Sequence, residues 1–277
     1  MFFFMLSGDK HVYLVSKLRK PVSVIPKRGR EPTDTFICEW GKPVPGKEET
    51  EFLPQKINPP PRQKGLTLFF SPHPDDLVYS AFSALIDPFN RKVAVTVFNL
   101  SRFTKWGLGS PRLISAFRKL EDKLVFTLLG IKSFHLNQPD TSLVESKRFP
   151  LKLLYRPNII YSPLGVGSHP DHLMTRGLAV HVWLEAKRIP RLLFYEDLPY
   201  AARCENYGSV LETLSCEVGL LKPRFIPLSD YQLRLKMLFS RLYITQTDHT
   251  SLLRQRAEEN GLKCGVRYAE KLFEVAF

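Results

Sequence analysis

From Gly65 onward, short uninterrupted apolar runs alternate with longer stretches in which apolar residues recur every three or four positions, a regularity that residues 1–64 lack. Leu66–Phe70 is such a run, bounded by Gly65 and by Ser71-Pro72, and reads as a strand covered on both faces in a parallel sheet. Leu77, Val78, Ala81, Ala84 and Leu85 then fall at helical spacing and predict a helix over 77–86. A strand at Val93–Phe98, a loop at Asn99–Pro111, a helix over 112–129 and a short strand at Ser133–Leu136 follow. The pattern resumes with a strand at Asn158–Ser162, a loop containing Gly165 and Gly167, a helix over Asp171–Lys187 and a strand at Arg191–Tyr195. Leu173, Leu178, Val182 and Trp183 share one face of that helix. The remainder is less regular, with helices near Tyr231–Tyr243 and Ser251–Glu259 and a last strand around Leu272–Val275. Strands alternating with helices of this length require crossover connections, so the expected class is α/β, a mostly parallel sheet with helices on both faces.

Residues 1–64 hold nine of the 22 prolines, including Pro59-Pro60-Pro61. Prolines at that frequency stop helices and interior strands. This segment is therefore expected to be an extended Pro-rich N-terminal arm, packed through Phe36, Ile37, Trp40, Phe52 and Leu53 onto a core domain of residues 65–277. A length of 277 residues and 44% hydrophobic content are ample for such a core. The formal charge of +13 attracts polyanions without choosing among them. No familiar base-reading motif accompanies it, so nucleic acid is not the expected partner. Cys38, Cys204, Cys216 and Cys264 lie far apart with no CxxC pair, which speaks for reduced thiols in a cytoplasmic protein. The apolar run Met1–Leu6 ends at Asp9 and Lys10, too soon for a signal-peptide core or a membrane span. With its basic neighbours it would suit contact with a membrane surface.

The chemistry-bearing residues cluster at two strand-to-helix junctions. His73-Pro74-Asp75-Asp76 follows the first strand, and His169-Pro170-Asp171-His172 follows the run Ile159-Ile160-Tyr161 and its glycine loop. Open α/β sheets build their sites at the carboxyl ends of strands. If the two turns face each other, His73, Asp76 and His172 form a two-imidazole, one-carboxylate set with an open position, which suits catalytic Zn²⁺ and also accommodates Fe²⁺. Such an ion polarises a carbonyl and lowers the pKa of its water toward ~7. Asp75, next to a ligand, is then the candidate general base. His169 with Asp171 forms a second pair that could stabilise an oxyanion or protonate a departing amine.

These two tetrads resemble the paired motifs of the PIG-L (LmbE-like) de-N-acetylase family, and the likeness extends over about residues 65–277. The resemblance implies a Rossmann-like fold, zinc as the usual metal, and hydrolysis of the N-acetyl group of a small-molecule N-acetylglucosaminyl conjugate with release of acetate. Arg118 and Glu121 match an R-x-x-E on a helix that is followed by Leu129-Gly130, and Asp140 matches an aspartate after the next strand. By that likeness Arg118 and Asp140 face the sugar. Two positions depart from the pattern. Leu77 replaces a glutamate that commonly follows the two aspartates, and Gly167 stands where some members carry an oxyanion-stabilising tyrosine. The rival expectations are an amidase for a different acyl amide on the same scaffold and a non-catalytic basic protein that binds nucleic acid or anionic lipid. The acyl amino sugar and the oligomeric state stay open at this stage.

Overall fold

The structure is a computed structural model that describes residues 65–106, 109–140, 157–204 and 207–276. Of residues 1–64 it describes only the backbones of three short strands, β1 (Phe3–Leu6), β2 (Val12–Val15) and β3 (Phe36–Glu39), paired antiparallel in the order β2-β1-β3. The expected packing of the N-terminal arm lies outside the described residues.

The core is a seven-stranded sheet formed by β4 (Leu66–Ser71), β5 (Arg91–Leu100), β6 (Lys132–Pro139), β7 (Ile159–Pro163), β8 (Arg191–Tyr195), β9 (Leu221–Pro227) and β10 (Ala269–Val275). Its order is β6-β5-β4-β7-β8-β10-β9. The strands from β6 to β8 are parallel, and β10 runs antiparallel to both of its neighbours, β8 and β9. All six residues of β4 are buried, as its apolar run requires of a central strand. Leu68 and Phe70 pack with Val95, Val97 and the helix residues Leu178 and Trp183 on one face. Phe69 packs with Leu77, Phe82, Val125 and Phe126 on the other. Helices therefore cover both faces. They are α1 (Asp76–Ser80), α2 (Phe82–Ile86), α3 (Pro111–Leu128), α4 (Pro170–Glu185), α5 (Tyr207–Val218), α6 (Asp230–Arg241) and α7 (Thr250–Cys264).

The chain moves from β4 outward to β5 and β6, then returns to lay β7 and β8 on the other side of β4. That reversal opens a crevice at the carboxyl ends of β4 and β7, the place where doubly wound sheets hold ligands. Both HPD turns lie there. Among the described residues no helix is long and apolar enough to cross a membrane.

Three features differ from the sequence expectation. The helix predicted over 77–86 is broken at Ala81, which leaves helical geometry at φ −137° and ψ 31°. The cause is distant: the Glu270 carboxylate of β10 accepts hydrogen bonds from Phe82 N (3.1 Å), Ser83 N (2.7 Å) and Ser83 Oγ (2.5 Å), capping a new helix start. Lys236 Nζ, 2.6 Å away, neutralises that buried carboxylate. The strand β9 escaped the periodicity because it holds Pro223 and Pro227 and buries little; it lies on a sheet edge, where proline is tolerated. The helix α5, which buries only Leu214 and Val218, was not foreseen either.

Candidate active site

Each HPD turn is shaped by its own polar atoms. After β4, Ser71 Oγ donates to the His73 carbonyl (2.6 Å) and His73 N donates to Asp76 Oδ2 (2.8 Å), which folds the turn and begins α1 at Asp76. After β7, His169 caps α4 by accepting the Asp171 N–H at Nδ1 (3.3 Å), with Pro170 in the first helical position.

The two turns meet. His73 Nδ1 and His172 Nε2 lie 3.4 and 3.5 Å from the same oxygen, Asp76 Oδ2. One ligand atom from each of these three residues falls within 4.8 Å of the others, and His73, His169 and Asp171 form a second such group. The remaining nitrogens point to carboxylates. Asp171 Oδ2 is 3.1 Å from His73 Nε2, and Asp197 Oδ1 is 2.7 Å from His172 Nδ1. Asp197 is fixed in turn by Val166 N, which donates to its other oxygen (2.8 Å). A carboxylate on one ring nitrogen sets the tautomer and leaves the opposite nitrogen as a donor of electrons to a metal. His172 Nε2 is fully buried and makes no hydrogen bond. Such an orphaned nitrogen is costly in a protein interior unless it has a ligand. The donor set thus fits a divalent cation.

The electrostatics agree. Burial opposes a charge on His73, yet hydrogen bonds to Asp171 and Asp76 outweigh it and raise the imidazole to about 9. Burial likewise opposes His172, and the Asp76 charge and the Asp197 hydrogen bond reverse the effect, so its pKa is also raised. Asp76 is held below the ordinary carboxylate range, since the His172 charge and the His73 contacts overcome its burial. The cluster has an excess of negative charge that protons satisfy when no metal does.

Beside this cluster is a cavity of about 380 Å³, lined among others by Asp75, Arg118, Asp140, His169 and Tyr200. Burial, then the Asp76 charge, raises the Asp75 carboxyl to about 6, with Arg118 and His73 opposing. Arg118 Nη2 is 3.7 Å from Asp75 Oδ1, and its Nε has no hydrogen-bond partner. Asp140, buried at the end of β6, is held by its backbone N–H to the Leu100 carbonyl (2.9 Å). Burial and the charges of His172 and His73 lower His169 to about 4. That lowering favours the neutral ring at neutral pH. Because its Nδ1 accepts the Asp171 amide, the neutral tautomer carries its proton on Nε2.

Every site residue expected from the sequence lies in the metal-ligand cluster or along the cavity wall. The carboxylate of Asp171 is aimed at His73, and its backbone amide, rather than the carboxylate alone, serves His169. Glu121 lies behind the cavity wall, clamping Thr245 N (2.8 Å) and Oγ1 (2.6 Å) and so anchoring the loop of Gln246, Thr247 and His249 that lines the cavity. Asp197 and Tyr200 were missed as site residues. The signal was present, because the stretch after Tyr195 follows the carboxyl end of β8, next to β7.

Residues 68–183 match the family model described as PIG-L, GlcNAc-PI de-N-acetylase. A 2′-N-acetylparomamine deacetylase of Streptomyces fradiae is 27% identical over 214 residues, 67% of this chain and 75% of that protein. Over these residues the chain is similar to the PIG-L family. The chain is a metal-dependent deacetylase, with a His and Asp cluster suited to the metal. Solved structures share the fold. A deacetylase of the teicoplanin biosynthesis pathway covers 76% of this chain and 98% of its own, with a TM-score of 0.59 at 18% identity. The N,N′-diacetylchitobiose deacetylase of Pyrococcus horikoshii covers 76% and 84%, with a TM-score of 0.56 at 21% identity.

Proposed function

We propose that this protein is a zinc-dependent hydrolase that removes the N-acetyl group from an N-acetylglucosaminyl-type conjugate and releases acetate. The observation that supports it most is the convergence of His73 Nδ1 and His172 Nε2 on Asp76 Oδ2 beside a cavity lined by Asp75. His73, Asp76 and His172 would hold the ion. When bound, a divalent ion supplies Lewis acidity to the amide carbonyl and to water. Asp75, near 6, accepts the proton of the attacking water and is matched in pKa to return it to the departing amine. Asp171 and Asp197 keep the two ligand imidazoles oriented. Neutral His169 offers its Nε2–H as a hydrogen-bond donor, and Arg118 and Asp140 bind the sugar. The names of the relatives, an acetylated aminoglycoside in one and an acetylated chitobiose in another, support an amino-sugar substrate.

The second donor at the oxyanion is Tyr200. A Cβ built on Gly167 would stand 3.0 Å from Tyr200 Cβ, so the tyrosine already occupies the space that a side chain at 167 would need. Gly167 also has φ +82°, which disfavours any larger residue there. The Tyr200 ring meets His172 edge-on at 5.2 Å, and its hydroxyl has no hydrogen-bond partner among the described residues. Tyr200→Phe should lower kcat by about 10²-fold with metal content and KM little changed, as steady-state kinetics would reveal.

A zinc titration over a pH series probes the ligand set. Because His73 is raised to about 9, loading must expel its proton, and Zn²⁺ affinity should fall by about tenfold per pH unit below that value. Affinity independent of pH would contradict His73 as a ligand. The function itself is tested by acetate release from N-acetylglucosaminyl compounds by the zinc-loaded protein. Hydrolysis confined to N-acyl amides without a sugar would support the amidase alternative instead.

A further inference from the structure

The outward face of α3 is apolar along its length. Leu113, Phe117, Leu120, Leu124 and Leu128 are 47–62% exposed and fall within an arc of about 80° in helical projection, while Ile114, Val125 and Phe126 of the inward face are buried. Scattered exposed leucines are ordinary, but five in register on one helix form a surface that should be covered. In the loop before the helix Phe103 and Trp106 are also exposed, 52% and 54%.

Within residues 101–140 the accessible charge has one sign. Glu121, Asp122 and Asp140 are the acidic residues between 101 and 140, and all three are buried. Their carboxylates are turned inward; Asp122, for example, accepts from Thr96 Oγ1 (2.8 Å) and Tyr243 OH (3.2 Å). Arg102, Lys105, Arg112, Lys119, Lys123 and Lys132 are exposed or half-buried in the same segment. Within this segment the accessible charges are all basic, and its three acids are turned into the core.

We infer that this face seats the protein on an anionic membrane surface. The leucines, Phe103, Phe117 and Trp106 enter the boundary between head groups and acyl chains, and the basic residues of this segment meet lipid phosphates, as for an amphipathic helix lying in the interface plane. A second copy fits poorly, because a two-fold contact repeats the same patch and would press one set of basic residues against another. Nucleic acid would satisfy the bases but offers nothing to the apolar stripe. Phe103 also lines the catalytic cavity, so the seated protein holds its cavity mouth beside the lipid surface. This inference is independent of which amide is cleaved.

Co-sedimentation of the full chain with phosphatidylcholine vesicles, with and without about 30% phosphatidylserine, tests it. The wild-type protein should bind the anionic vesicles, less so as salt rises, and leave the neutral ones. Leu120→Glu combined with Leu124→Glu should weaken that binding at least about tenfold while circular dichroism stays native. Lys119→Glu with Lys123→Glu, which touches no apolar residue, should weaken it too. Wild-type protein that ignores anionic vesicles would overturn the inference. So would a leucine variant that binds as wild type, or a wild-type dimer that the leucine variant dissociates.

Discussion

Asp75→Ala should lower acetate release by about 10³-fold and leave the bound metal in place. The carboxylate lies on the cavity wall beside the ligand cluster, and Asp75 is not in the group of His73, Asp76 and His172. Its burial and the neighbouring Asp76 charge raise it to about 6, high enough to accept a proton from water and low enough to be ionised at neutral pH. Activity should accordingly decline as pH falls through about 6, where Asp75 becomes protonated. Kinetics paired with elemental analysis separate the two quantities. Turnover within a few-fold of wild type, or loss of the metal along with turnover, would remove Asp75 from the role of base.

His172→Ala should have the opposite signature, with loss of the metal itself and of all activity that depends on it. The ring is fully buried, and its two nitrogens face Asp76 and Asp197. Truncation removes a ligand and strands two buried carboxylates, so a loss of stability of about 3 kcal/mol should accompany it. His169→Ala should keep the ion, because His169 is outside the group of His73, Asp76 and His172. Retention of stoichiometric metal by His172→Ala and its loss from His169→Ala would move the ion to the second group, formed by His73, His169 and Asp171.

The framework around the site was legible because its cues are local. An apolar run, a proline turn and a helical repeat lie within about 20 residues at each HPD tetrad, so strand, turn and helix follow from neighbouring residues. What stayed hidden depends on partners far along the chain. The break at Ala81 is imposed by Glu270, 188 residues from Phe82. Asp197 orients His172 across 25 residues, and Asp171 reaches His73 across 98, so neither pairing could be read from spacing. Tyr200 is a site residue only because Gly167 leaves room for its ring, a fact of packing rather than of pattern. The edge strand β9 shows the reverse limit, since its prolines disqualify an interior strand but not one at the margin of the sheet.

One claim underlies all of this: two turns from distant parts of the chain hold a single divalent ion. Anomalous diffraction at the zinc edge, from crystals of the zinc-loaded protein, tests it most directly. The expected map has one peak within bonding distance of His73 Nδ1, an Asp76 carboxylate oxygen and His172 Nε2. A peak on His169 and Asp171 instead, or no peak between the two turns, would contradict the account.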